Sequence, residues 1–159
     1  MSKKAEARQT RRGKKHEKQV RLREKAIEKL PRYIDAPQNR AVEYPTWRFT
    51  QCDWEHNEWG WCSLSADKWL YITQKLSQFE TMTWQEITGL ENHSVPVEDC
   101  PNPDTLRRLQ DLLLDDVDTL FSLRLSARER IYGIFHNSTL LLLWYDPNHT
   151  VWPSPKKHT

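Results

Sequence analysis

Five side chains in the last third of the chain could do chemistry together: Arg124, Arg128, Arg130, Tyr145 and His149. Cleaving RNA with its own 2′-hydroxyl needs no metal. It needs a base for the 2′ proton, a cation for the charge growing on phosphorus, and an acid for the departing 5′ oxygen. An arginine fork grips phosphate oxygens, and a histidine exchanges protons near neutrality. The pattern assigns charge stabilisation to Arg130, with help from Arg124 or Arg128. It assigns acid or base work to His149, with Tyr145 beside it. Each residue also has a plainer role. Arg124 can be a solvated strand residue, Arg130 an ion-pair partner, His149 a loop hydrogen-bonder and Tyr145 a core-edge aromatic. His93, and the pair His56 and Glu58 in a tryptophan-rich loop, are weaker candidates.

The elements that must position these groups follow from periodicity. Phe121, Leu123 and Leu125 alternate with Ser122 and Arg124, which predicts a half-buried strand over 120–125. In 129–135, Arg130, Tyr132 and Ile134 share one face and Ile131, Gly133 and Phe135 the other. His136-Asn137-Ser138 predicts a hairpin turn, where Asn tolerates positive φ. Residues 140–145 are continuously apolar, as in a strand covered on both faces. Asp146-Pro147-Asn148-His149 fits a type I turn, and 150–152 a last edge strand. Upstream, 46–52 reads as a strand. Ser65 caps a helix over 66–79, with Leu64 and Trp69 spaced as a hydrophobic staple. Thr83 and Glu86 form a capping box for a short helix ending near Gly89. A loop or short edge strand follows at 93–103. A third helix is predicted over 104–114, with Leu106, Leu109 and Leu113 inward. The expected fold class is α+β: a small, mostly antiparallel sheet with helices packed on one face.

The charge balance is uneven. Residues 1–44 carry 14 Lys and Arg against 6 Asp and Glu, whereas the rest carries 10 against 16. The net charge of +2 therefore hides a basic arm on a mildly acidic body. The expected division is a basic, partly helical or disordered arm and linker over 1–44 and a domain over 45–159. Such an arm suits a polyanion, most often nucleic acid. Lys14, Lys15, Arg11, Arg12, Lys156 and Lys157 are the expected RNA-binding cations. A merely solubilising leader is the alternative. The three cysteines form no CxxC or zinc-type spacing, and no secretory or membrane segment is evident. The expectation is a cytoplasmic protein that uses no metal or cofactor and no membrane. Five of the eight tryptophans fall between Trp47 and Trp69. They are expected in the core rather than as a base-stacking platform.

The run Leu120-Phe-Ser-Leu-Arg-Leu125, then Arg128-Glu-Arg-Ile-Tyr-Gly-Ile134, then an apolar strand ending near a His or Tyr resembles the RelE/YoeB superfamily of ribonuclease toxins. The segment from residue 60 to 152 also resembles a group of bacterial proteins sharing the Trp144-Tyr-Asp-Pro-x-His149 signature. The toxin resemblance implies a RelE-like fold and a metal-independent endoribonuclease of the mRNA-interferase type, a hydrolase-like activity through 2′-hydroxyl attack. It puts the clamp arginine on Arg130 and the terminal His or Tyr on His149 or Tyr145. The implied partners are RNA, ribosome-bound mRNA and an antitoxin protein. A second reading is an inactive module of that fold that binds RNA, the ribosome or a protein; Arg130 turned against Asp146 or Asp118 would favour it. A third is a protein-interaction module using exposed tryptophans.

Overall fold

The computed structural model describes residues 42–154 and, of the chain before them, Glu17 alone. The chain divides into two units, Met1–Ala36 and Pro37–Thr159, and the sheet with its helices belongs to the second. The cations expected to bind RNA at positions 11, 12, 14, 15, 156 and 157 lie outside the described residues, as does most of the arm. Residues 42–44 belong to the body: the Glu43 carbonyl accepts from Trp84 N at 2.9 Å.

Five strands form one sheet in the order β1-β5-β4-β3-β2. They are β1 (Thr46–Arg48), β2 (His93–Pro96), β3 (Thr119–Arg124), β4 (Arg130–His136) and β5 (Thr139–Asp146). β1 runs parallel to β5 and the other neighbours are antiparallel. The α+β class and the mostly antiparallel sheet agree with the sequence reading. β1 is shorter than expected, because the chain turns at Phe49, whose carbonyl takes the Cys52 N–H. The β4–β5 hairpin closes over Asn137 and Ser138, with Asn137 at φ 55°, an angle that Asn tolerates.

Helices cover both faces of the sheet, not one. On the first face lie α1 (Ala66–Phe79) and α2 (Trp84–Thr88). Ile72, Leu76, Trp84 and Ile87 pack there with Phe121, Leu123, Leu125, Ile131, Leu140 and Leu142. On the second face, Leu109 of α3 (Pro103–Asp111) and Leu114 beyond it pack with Val95, Leu120, Tyr132, Leu143 and Trp144. β3 is therefore buried on both sides, and even Ser122 is buried. α3 is shorter than predicted and turns Thr105 and Leu109 fully inward, with Leu106 and Leu113 only half-buried. The caps follow the sequence. Ser65 Oγ accepts from Lys68 N, and Thr83 and Glu86 make the reciprocal box. Leu64 and Trp69 both pack on the first core.

One irregularity decides where the candidate residues point. The β4–β5 register runs Gly133↔Leu142 and then Tyr132↔Trp144, so Leu143 is an extra residue on β5. This is a β-bulge, and it inverts the alternation beyond it. A Cβ on Gly133 would stand 2.7 Å from the Leu141 carbonyl oxygen, so only glycine allows this approach. The Leu143 carbonyl accepts from Asp53 N and Trp61 Nε1, both at 2.9 Å. The tryptophan loop after β1 thus covers the β5 edge where β1 has stopped, and no 150–152 strand forms.

Candidate functional site

The end of the sheet that joins β3 to β4 and terminates β5 carries all five candidate residues, but not on one face. Ile131 pairs with Tyr145, and Arg130 with Asp146. Because successive strand residues face opposite ways, Tyr145 joins the first face with Ile131, whereas Arg130 joins the second. The expected constellation is split in two.

On the second face, Arg124 and Arg130 are direct cross-strand partners. The Ser126 carbonyl accepts from Arg124 Nε at 3.1 Å and from Arg130 Nη1 at 2.8 Å; the latter also reaches the Glu129 carbonyl at 3.0 Å. Glu91 pairs with Arg124. Burial, followed by the charge of Arg124, pulls the Arg130 guanidinium below its ordinary pKa. Like charges placed directly opposite destabilise a strand pair; here the Glu91 carboxylate on Arg124 and the Asp146 charge opposite Arg130 offset part of that cost. His149 stands at φ 59° in the turn after β5. Burial, then Arg130, holds its pKa below the usual histidine value.

The turn over 146–149 is built around a side chain. The fully buried Asp146 carboxylate organises it. Oδ1 accepts from Asn148 N at 3.2 Å and Thr150 N at 3.1 Å, and Oδ2 from Val151 N at 2.8 Å. Asp146 thereby serves the turn's backbone donors and the Thr150 hydroxyl, while its charge, directly across the strands, partly offsets that of Arg130.

On the first face lies an open groove of about 650 Å³ lined by Glu58, Leu64, Lys68, Arg128, Glu129 and Tyr145, among others. Glu129 Oε1 accepts from Lys68 Nζ and from the Tyr145 hydroxyl, each at 2.5 Å. Burial opposes ionisation of Glu129, but the Lys68, Tyr145 and Ser126 hydrogen bonds outweigh it and hold the pKa at about 2. Burial and the bond to Glu129 push the Tyr145 hydroxyl well above its ordinary value, so it stays protonated. Lys68 also stands 4.8 Å from the Tyr71 ring centre. Arg128 is exposed, and its Nη2 donates to Asn148 Oδ1 at 3.4 Å.

The remaining candidates make the following contacts. His56 stacks on Trp59, and its Nδ1 accepts from Glu58 N and Trp59 N. Glu58 accepts from the Thr150 hydroxyl. His93 is exposed, with Nδ1 near the Glu91 carbonyl. Trp59, Trp61, Trp84 and Trp144 are buried, whereas Trp54 is 43% exposed.

Sequence reasoning did not find Lys68, which is 61 residues from Glu129. Nor did it find Asp53, whose 3%-exposed carboxylate takes two bonds from Arg108, at 2.6 and 2.7 Å, and one from Trp144 Nε1 at 2.9 Å. The only advance signal was an acidic residue beside the tryptophans of its loop.

Among the described residues, no group of three or more His, Cys, Asp and Glu could hold a metal ion. None of their helices is long and apolar enough to cross a membrane. No protein-family model, curated protein or solved structure matches the chain.

Proposed function

We propose that the body binds RNA, gripping a backbone phosphate between Arg124 and Arg130 beside His149. The observation that carries this reading is the opposition of two arginines in register, sharing the Ser126 carbonyl. A phosphate between them would accept charge-assisted bonds from both forks, displacing the half-exposed Arg124 from Glu91. An RNA-binding module of RelE-like type is the better-supported form. Tyr145 donates to Glu129 on the opposite face, so its hydroxyl is not the acid beside these arginines. Ribosome-bound mRNA and an antitoxin partner are further proposals within the same reading.

Cleavage through the 2′-hydroxyl is the second reading, and the place of His149 in the turn after β5, where both arginines act on its charge, favours it. A histidine and guanidiniums at one sheet end would supply a base and a cation, two of the three groups the reaction needs. One experiment addresses both. Fluorescence anisotropy with a single-stranded RNA at about 150 mM salt, a strength that screens loose contacts, compares the full chain with Arg130→Ala and Arg124→Ala. Loss of one charged phosphate contact lowers affinity about tenfold or more. Unchanged binding in both variants would refute the RNA reading. Gel analysis of the same RNA and a 2′-deoxy counterpart then separates the forms. Cleavage of the RNA alone, abolished by His149→Ala, would establish the enzyme; intact RNA would leave the binding module.

A further inference from the structure

One carboxylate already sits on the Arg124 fork. Glu91 meets Arg124 Nη1 through Oε2, while the Ser126 carbonyl holds Nε of the same guanidinium at 3.1 Å. A carboxylate oxygen there stands where a phosphate oxygen would stand, since both accept a guanidinium N–H. The contact is open to water: Glu91 is exposed and Arg124 half-exposed. An exposed ion pair of this kind is weak, so a second anion can replace it.

The backbone is arranged to put Glu91 at this fork. α2 ends at Thr88, and Glu91 follows in the left-handed region at φ 64°. Such an angle suits Gly or Asn, and Glu adopts it at a cost. The next residue, Asn92, is buried. Its Nδ2 donates to the Ile87 carbonyl at 2.7 Å, and its Oδ1 accepts from Arg124 N at 2.5 Å. Asn92 thus ties the turn to the backbone of the same residue whose side chain Glu91 meets. A costly angle held by a buried clamp points to a role for the side chain it carries. Arg124 and Arg130 stand opposite each other, an arrangement that costs stability. Glu91 offsets part of that cost, and by the same contact it withholds Arg124 from an incoming anion.

We infer that Glu91 is a built-in stand-in for the RNA phosphate, which steadies the paired arginines without RNA and competes with the strand for Arg124. The inference rests on the phosphate-grip reading and adds a regulation of that site. Binding is then an exchange: a phosphate oxygen takes the Arg124 N–H and the Glu91 carboxylate is released to water. No covalent bond changes.

The signature is opposite in sign for stability and for affinity. Glu91→Gln keeps the size of the side chain and removes its charge. In the full chain it is expected to lower the urea midpoint slightly. It is also expected to tighten single-stranded RNA about threefold to fivefold, the upper range for an exposed ion pair, by fluorescence anisotropy at about 150 mM salt. In the Arg124→Ala background the same substitution should change neither, because the pair is already gone. Glu98→Gln removes an equal charge from the short helix Val97–Asp99, beyond the other end of β2. It should shift affinity less than about twofold, since salt screens a distant exposed charge. A lower midpoint without tighter RNA binding would overturn the inference and leave the pair purely structural. So would a gain that persists in Arg124→Ala or is matched by Glu98→Gln. Failure of the grip itself looks different: RNA binding is then indifferent to Arg124→Ala and Arg130→Ala in the same assay.

Discussion

Replacing Asp146 by Asn should cost both stability and RNA affinity, although the side chain keeps its size. The carboxylate is fully buried and serves three backbone donors through two different oxygens. An amide keeps one acceptor and turns the other position into a donor. If the amide nitrogen replaces Oδ2, the Val151 N–H faces a donor and is left unsatisfied. If it replaces Oδ1, the N–H groups of Asn148 and Thr150 are stranded. A buried donor without a partner costs about 1–3 kcal/mol, so the first arrangement prevails and Asp146→Asn loses about 2 kcal/mol. Asp146→Ala strands all three and loses about 3 kcal/mol or more. Urea unfolding followed by tryptophan fluorescence measures both. The same donors fix the turn that places His149 at φ 59°. Asp146→Asn should therefore weaken RNA binding about threefold to tenfold with His149 and both arginines unchanged, since a displaced side chain forfeits a bond's worth of affinity. Asp146→Asn within about 0.5 kcal/mol of wild type, the range of ordinary surface changes, would refute the claim that this carboxylate builds the turn.

Other perturbations have equally definite outcomes. Asp53→Ala strands the Arg108 guanidinium and the Trp144 indole, and should cost about 3–5 kcal/mol in urea unfolding, as for a broken buried pair; Arg108→Ala added to it should cost far less than it does alone. Gly60→Ala should cost about 1–3 kcal/mol in thermal unfolding, because the new Cβ would stand 2.2 Å from the His56 carbonyl oxygen, a backbone atom that has little room to retreat. Glu129 has a folded pKa of about 2, below its ordinary 4.5, so its stabilisation is present above pH 4.5 and is lost as the pH falls towards 2. Acid unfolding curves should show that loss in wild type and a smaller one in Lys68→Ala, which lacks the ion-pair partner; identical curves would remove Lys68 from the explanation.

Local signals made much of this fold legible. Ser65 and the Thr83–Glu86 box announce their helices because a cap acts within one turn. Asn137 announces its hairpin because positive φ is costly for most residues. The apolar run of β5 announced cover on both faces. The second-face helix was less legible, since the spacing of Leu106, Leu109 and Leu113 shows that a helix buries something but not against which side. The bulge at Leu143 was illegible, because an extra residue in a continuous apolar run leaves no mark on the pattern. It nevertheless separates Tyr145 from Arg130, and so the candidate site was half read. Arg124, Arg130 and His149 lie on the expected rim, while Tyr145 and Arg128 line the open groove of the first face. Lys68 with Glu129 and Asp53 with Arg108 are pairs made by tertiary packing, 61 and 55 residues apart, which periodicity does not reach.

The grip on phosphate is tested most directly by the salt dependence of RNA binding in wild type and Arg130→Ala. Each neutralised phosphate on a single strand contributes about 0.7 to the slope of log affinity against log salt. Arg130→Ala is expected to flatten the slope by about that amount and to lower affinity about tenfold at about 150 mM salt. A slope and an affinity equal to those of wild type would contradict the grip, and would place any RNA contact away from the paired arginines.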